Sequence, residues 1–437
     1  MPSISSFEQL VHADLVRGLR DIGILAPNSI QSRAIPLGLS GRDVLVCAQT
    51  GSGKTLTFLL PILNRLLESS QRQAEQKGKG AGRKGLKGGR SKGKLGKEDF
   101  LEGRQQSNVL AVILAPTEQL AQQVAQVAEH LLSSCKQMHR SRIQLKYVNH
   151  LQSARENADR VNNGMCLIVG TPDIVIKQFE TCDAQILAID EADLLLCEGS
   201  SIAGSANGAD FQNRQRITNS LLEGMHSAQL FLTMAHLTEQ REKELLSRFP
   251  HIQQVGHTGV LVPTLRQCFH YFRGDESSKK SKLLWILSEA EKEDPDTDGA
   301  TIIFCATSAK AIELQAYLLE RWKTSSLHEE STKMLSLSEV ADIIQSFRDG
   351  ATQILVATDM SVRGLDFPFL RHVILYDVPA DATAFVHCAG RTARSGNTGL
   401  VTCIVEEGNA LETNFDGKAI HSLKDAPQLS FKTNQIL

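Results

Sequence analysis

Nine short apolar runs, each bounded by polar or turn-forming residues, constrain this chain most. Five lie in the first half: "DVLVCA" at 43–48, "VLAVILA" at 109–115, "MCLIVG" at 165–170, "QILAID" at 185–190 and "QLFLTMA" at 229–235. Four lie in the second: "TIIFCAT" at 301–307, "QILVATD" at 353–359, "HVILYDV" at 372–378 and "GLVTCIV" at 399–405. Runs that are oily throughout, with no alternation, are expected of strands covered on both faces, as in parallel sheets. Helical patterns between them imply βαβ units and doubly wound sheets. The two sets look like two copies of one α/β architecture. At 437 residues there is chain enough for two or three separate cores. The joint is expected near 255–265, around "GHTGVLVP", which divides the chain into 1–258 and 259–437.

One stretch departs from this pattern. "QKGKGAGRKGLKGGRSKGKLGK" at 76–97 holds Gly, Lys and Arg and almost nothing that could be buried. It predicts a disordered basic insert, spanning about 70–105, in the first domain. A surface insertion, a tether to a phosphate backbone and a nuclear-import signal are all readings of it. Over the whole chain the charges balance: 47 Lys and Arg against 49 Asp and Glu, a net charge of −2. A nucleic-acid footprint must therefore be a local patch. The nine cysteines form no C-x-x-C pair and sit in oily segments, which predicts buried free thiols and no zinc site. No apolar run approaches the ~20 residues of a membrane helix. The start, "MPSISSFEQL", lacks the layout of a secretory signal.

"AQTGSGKT" at 48–55 follows the strand "DVLVC" and precedes the helical "LTFLLPILNRLL". It fits G-x-x-x-x-G-K-[ST] except at Ala48. Ala48, Thr50, Gly51, Ser52 and Gly53 form a loop whose backbone N–H groups can wrap a phosphate at a helix N-terminus. Lys54 is placed to reach the outer phosphates of a nucleotide, and Thr55 to hold Mg²⁺. "QILAIDEADLLL" at 185–196 ends an oily strand on Asp190, Glu191 and Asp193. Acids in a helix's first turn would be explained by the helix dipole alone. Beside a phosphate-binding loop they gain chemistry: Asp190 to hold Mg²⁺, largely through water, and Glu191 to orient or deprotonate the attacking water. Asp193 is expected to tether neighbouring loops.

"DEAD" after a phosphate-binding loop resembles the DEAD-box RNA helicases, and the resemblance covers nearly the whole chain. It implies two RecA-like domains that close over ATP and single-stranded RNA. "PNSIQSRAIP" at 27–36 looks like the family's Q motif, with Gln31 reading adenine and Phe7 near the usual aromatic position. "APTEQLA" at 115–121 is similar to PTRELA, and "GTPD" at 170–173 to TPGR. "ATDMSVRGLDF" at 357–367 is close to the segment running from TD to RGLD, and "HCAGRTARSGNTG" at 387–399 to HRxGRTGR. The resemblance implies that Asp366 touches the ribose. Arg391 and Arg394 would be arginine fingers on the γ-phosphate, a device worth ~10³ or more in rate. Pro116, Thr117, Thr171, Pro172, Thr358 and Gly364 would lie on the RNA side.

The chain departs from the family mostly on that RNA side. Glu118 stands where the family has arginine, and Gln119 where it has glutamate. The Gly-Arg of TPGR is Asp173-Ile174, the double glycine is "VNHL" at 148–151, and Cys388 replaces the first arginine of the last motif. Ile24 follows Gly23 where an aromatic is usual, and Val340 falls near a usual arginine. The SAT motif reads Met234-Ala235-His236, and only a one-residue slip brings in Thr233. His236 could then bond to Asp190, although a lone His at a strand end is more often structural. Acids in place of cations should weaken binding to phosphates.

These residues lead us to expect an ATP- and Mg²⁺-dependent RNA helicase or RNA–protein remodeller. The expected setting is a monomer working with a protein cofactor in ribosome assembly, in the nucleus or nucleolus, away from membranes. A nucleotide-gated RNA clamp or scaffold is the competing expectation. A DNA translocase of related architecture fits less well, because of the upstream Gln31 and the "DEAD" tetrad.

Overall fold

In the computed structural model the described residues are 6–48, 51–81, 110–136, 143–149, 165–178, 184–196, 208–225, 227–235, 239–256, 264–293, 300–328, 331, 335, 337–362, 365, 367, 369–379, 382–393 and 397–407. The first sheet is built from β1 (Val44–Cys47), β2 (Leu110–Leu114), β3 (Ile143–Tyr147), β4 (Met165–Gly170), β5 (Ile186–Ile189), β6 (Gln229–Met234) and β7 (Gln253–Val255). Its strand order is β3-β4-β2-β5-β6-β1-β7, with all pairs parallel. The helices of this lobe are α1 (Ala13–Asp21), α2 (Ser29–Leu39), α3 (Lys54–Ala81), α4 (Glu118–Ser133), α5 (Pro172–Gln178), α6 (Ala192–Leu196), α7 (Gly208–Gly224) and α8 (Glu239–Arg248).

The second sheet holds β8 (Leu265–Phe272), β9 (Thr301–Cys305), β10 (Thr324–Leu327), β11 (Ile354–Thr358), β12 (His372–Leu375) and β13 (Gly399–Glu406), in the order β10-β11-β9-β12-β13-β8. It too is parallel. Its helices are α9 (Glu276–Glu293), α10 (Ser308–Leu318), α11 (Leu337–Arg348) and α12 (Ala382–Ala389). Counted from each lobe's first strand, both sheets run third, fourth, second, fifth, sixth, first; β7 is an addition outside β1. Sheet membership changes between Val255 and Leu265. We call the halves lobe 1 and lobe 2.

The central strands are oily for the expected reason. β1, β4, β5 and β6 are buried along their whole length. Alternate residues feed cores on opposite faces of the sheet. Val44 and Val46 enter one core of lobe 1, and Leu45 and Cys47 the other. Lobe 2 repeats the arrangement, with Val373 and Leu375 on one side and Ile374 on the other.

The apolar runs do not reveal four strands: β3 ("IQLKY"), β7 ("QQV"), β8 ("LRQCFHYF") and β10 ("TSSL"). All four are sheet edges. An edge strand is not covered on both faces, so it need not be oily throughout. The basic insert also requires a correction. α3 continues to Ala81, so residues 70–81 are helical where disorder is expected from about 70. Apolar burial along α3 reaches Leu66 and Leu67, and Ser70 is still fully buried, so packing carries the helix up to the edge of the expected insert. Residues 82–105 of the insert lie outside the described residues.

Seven cysteines among the described residues are free, and all but Cys268 are buried. No group of His, Cys, Asp and Glu among the described residues could hold a metal through three such side chains. No described helix is long and apolar enough to cross a membrane.

Candidate nucleotide and RNA site

The phosphate loop starts where β1 stops. Ala48 donates its N–H to the Met234 carbonyl at 3.1 Å, which extends the sheet pairing by one residue. Gly51 and Gly53 then take φ of 79° and 75°, a left-handed backbone that favours glycine. Lys54 opens α3 and is 8% exposed, with Nζ donating to the Ala48 carbonyl at 2.7 Å. The lysine therefore arches over its own loop. Thr55 follows, half-buried, in the first turn. Thr50 lies outside the described residues.

A strap from α2 holds this loop. Asn28 caps α2 and forms a reciprocal capping box with Gln31. The Asn28 side chain also donates to the Ser52 carbonyl at 2.8 Å, and Gln31 Nε2 to the Gly53 carbonyl at 3.2 Å. A Cβ at Gly53 would stand 2.5 Å from Gln31 Nε2 and would push that amide off the loop, at a position whose left-handed backbone already favours glycine. The amide read from the sequence as an adenine contact is engaged in shaping the loop, with its oxygen accepting from Asn28 N–H at 3.0 Å. Phe7, which stands near the aromatic position the resemblance implies, is fully buried in the core of lobe 1.

The acids sit where β5 ends. Asp190 donates its N–H to the Leu114 carbonyl at 2.9 Å and is 4% exposed. Its carboxylate accepts from the Thr233 hydroxyl and, at 3.1 Å, from Glu191 N–H. Burial, with Glu191 beside it, pushes the Asp190 pKa up to about 6, against the opposing pull of Thr233 and Lys54. Glu191 adopts φ of 47°, a strained value for a side-chain-bearing residue, and its Oε2 is buried with no partner among the described residues. Those observations fit a site for a polar ligand: a cation beside a raised carboxyl, and a proton acceptor held in reserve. The hydroxyl partner of Asp190 is Thr233, the one-residue slip. Met234 points into the core on the opposite face of β6, and His236 lies outside the described residues.

Asp193, in α6, is fully buried, and its Oδ2 lies 3.1 Å from Nε2 of His387 in α12 of lobe 2. The expected loop tether is thus a contact between lobes. Arg391 follows α12, is 1% exposed, and donates from Nη1 to the Leu365 carbonyl at 2.9 Å; its Nε has no partner among the described residues. Gly364, Asp366 and Arg394 lie outside the described residues. Thr358 ends β11 and is 2% exposed.

On the other flank of lobe 1, Thr117 caps α4 and accepts from Leu120 N–H at 3.2 Å. Thr171 is fully buried, with Oγ1 unpartnered among the described residues, and Pro172 opens α5. Ala115 N–H donates to the Gly170 carbonyl at 3.0 Å, so the two turns lie side by side. Arg214 of α7 bridges them, with Nε 2.7 Å from Asp173 Oδ1 and Nη1 2.7 Å from the Pro116 carbonyl. The sequence assigned no role to Asn28, His387 or Arg214. The first two fall inside recognised segments, and Arg214 carries no local signal at all.

Two parallel α/β lobes, one with a lysine-bearing phosphate loop facing strand-end acids, define a two-lobed P-loop protein. Residues 28–220 match the DEAD/DEAH box helicase family, and residues 278–396 match the helicase conserved C-terminal domain. The chain belongs to the DEAD-box helicases. It is 28% identical over 421 residues to DEAD-box ATP-dependent RNA helicase 35A of Oryza sativa subsp. japonica, covering 95% of this chain and 58% of that protein. It thus spans little more than half the length of that relative. Among solved structures it is similar to S. cerevisiae Dbp5 bound to RNA and ADP BeF3, at 23% identity and TM-score 0.67, covering 96% of this chain and 92% of the other. It is also similar to Mss116p bound to ssRNA and AMP-PNP, at 20% identity and TM-score 0.68, covering 96% and 76%. These likenesses show the fold, two tandem RecA-like domains.

Proposed function

We propose that this protein is an ATP-dependent RNA helicase or RNA–protein remodelling ATPase whose reaction occurs between the lobes. The Asp193–His387 contact carries this reading. It places the segment bearing Arg391 against the helix that follows Asp190 and Glu191. Lys54 and the loop of Ala48, Thr50, Gly51, Ser52 and Gly53 bind the phosphates. Thr55 and Asp190 would hold Mg²⁺, which when bound offsets phosphate charge. Glu191 accepts the proton of the attacking water through its reserved oxygen. Arg391 and Arg394 approach from lobe 2, so turnover depends on closure. Asp366 would touch the nucleotide ribose from lobe 2, and Thr358 would lie on the RNA side of that lobe. RNA is the substrate named for the rice relative, and its path would cross Pro116, Thr117, Thr171 and Pro172 of lobe 1 and Gly364 of lobe 2.

Ribosome assembly in the nucleus or nucleolus, with a protein cofactor and a monomeric enzyme, completes the proposal. A second reading, an RNA clamp or scaffold that hardly unwinds, is favoured by Glu118 and Asp173 standing where the family has Arg and Gly. RNA-stimulated ATP turnover separates the two. Glu191→Gln should lower turnover by at least about 100-fold while ATP affinity stays within about threefold. Equal turnover in the two proteins would remove the enzyme reading.

A further inference from the structure

The outer turns of lobe 1 carry acids near a proposed phosphate track. Glu118 opens α4, and Asp173 lies in the first turn of α5. A bare carboxylate there would repel an RNA backbone. Asp173 is not bare. The Arg214 guanidinium covers it and reaches the Pro116 carbonyl with a second donor, both at 2.7 Å. The Arg214 and Asp173 side chains are largely withdrawn from solvent, at 17% and 21% exposure. One rigid fork thus joins the turn after β2 to the turn after β4 and anchors both to α7. A guanidinium suits this because its donors diverge in a fixed plane; an ammonium offers one point. The strand ends already meet through Ala115 and Gly170. Arg214 fixes the chain further out, at Pro116 and Asp173, on either side of Thr117 and Thr171.

We propose that Arg214 is the positioning residue of the RNA side. It neutralises Asp173 and locks the Pro116–Thr117 turn to the Thr171–Asp173 turn, so that the two present one fixed surface to single-stranded RNA. The inference rests on the RNA reading above. Arg214 acts through the turns, since Nε and Nη1 are committed to Asp173 and Pro116. Its loss would expose a negative charge and free a turn, and both effects weaken RNA binding.

The test measures ATP turnover of the full chain against a single-stranded oligouridylate at several salt concentrations. Arg214→Ala should raise the half-saturating RNA concentration about tenfold, with kcat at saturating RNA changed by less than about twofold. Salt screens an uncovered Asp173 carboxylate, so the slope of log affinity against log salt is read in the double variant Arg214→Ala/Asp173→Asn, where it should not change, and Arg214→Lys should not restore affinity. Asp173→Asn keeps an acceptor for Nε and should stay within about threefold of the parent. If Arg214→Ala does not fold, Arg214→Gln carries the same expectation of weaker RNA binding. An unchanged half-saturating concentration overturns the proposal, as does a loss confined to kcat. A salt slope shallower by about one in the double variant also overturns it, because that places the guanidinium on a phosphate. A parent protein with no RNA response removes the RNA reading itself, and that is seen before any variant is compared.

Discussion

In lobe 1 the chain leaves its first strand, β1, through Gly51, Ser52 and Gly53 and enters α3 at Lys54. In lobe 2 it leaves the matching strand, β8, through Arg273, Gly274 and Asp275 and enters α9 at Glu276. The strand order around the two turns is the same, and the ends of the two helices are not. Asp275 accepts from Ser278 N–H at 3.1 Å and from the Ser278 hydroxyl at 3.2 Å, and those bonds hold its carboxyl below the usual range. The lobe-2 helix carries its own anion. The lobe-1 helix offers glycines and a lysine where an anion can enter. One fold copy is built to receive phosphate, and the other has that position filled.

The fifth strands differ in the same sense. β5 ends on Asp190, whose pKa burial drives upward to about 6. β12 runs into Tyr376 and Asp377. Burial alone would raise Asp377 too, but Ala306 N–H at 2.9 Å, Lys279 at 2.6 Å and Lys310 at 3.0 Å hold it below the carboxylate range. Lobe 1 keeps its strand-end acids chemically available, and lobe 2 spends its acid on structure.

Three substitutions in lobe 2 test that contrast. Asp377→Asn leaves two lysines facing a neutral amide and should destabilise lobe 2 by about 2–3 kcal/mol, read by denaturant unfolding, without changing nucleotide affinity. A loss of nucleotide binding at unchanged stability would erase the distinction between the lobes. The next effect comes from His372, buried in lobe 2 and bonded to the Thr402 hydroxyl at 2.8 Å. Burial, with His270 nearby, lowers its pKa to about 4 from 6.5. Between those values the unfolded chain binds more protons, so stability is lost as pH falls through 6.5 toward 4. His372 alone contributes a loss of order 2 kcal/mol between pH 7 and pH 5, and His372→Gln should remove that contribution. Asp190, raised to about 6 by burial, contributes with the opposite sign over the same pH range, so the comparison is between the parent and His372→Gln, and identical pH dependence in the two would contradict a neutral buried imidazole. The smallest effect is at Ala393, whose φ of 56° lies in the left-handed region. Ala393→Gly should stabilise lobe 2 by about 0.5–1 kcal/mol in thermal unfolding, and a loss of stability would show that the strain is not there.

Much of the site was legible because its parts are local. Gly51 to Thr55 lie on consecutive residues, and their chemistry needs only a strand before and a helix after. Asp190 and Glu191 end an oily run, which marks a strand's C-terminal edge. Thr233 was half legible: the alignment slipped by one, and the twofold alternation of β6, which sends Leu232 and Met234 to one core, turns the hydroxyl toward Asp190. The burial of Phe7 was not legible, because an aromatic near the right place says nothing of whether its face is open. Gln31 was found, but not its attachment to Gly53.

Residue order alone determined the two-lobed α/β plan, the phosphate loop and the strand-end acids, since periodicity and adjacent residues encode each of them. Tertiary structure alone decided the pairs that lie far apart in the chain: Arg214 with Asp173 across 41 positions, Arg214 with Pro116 across 98, and His387 with Asp193 across 194. No spacing rule joins such residues. Their contacts exist only because packed strands and helices bring their side chains within hydrogen-bonding reach.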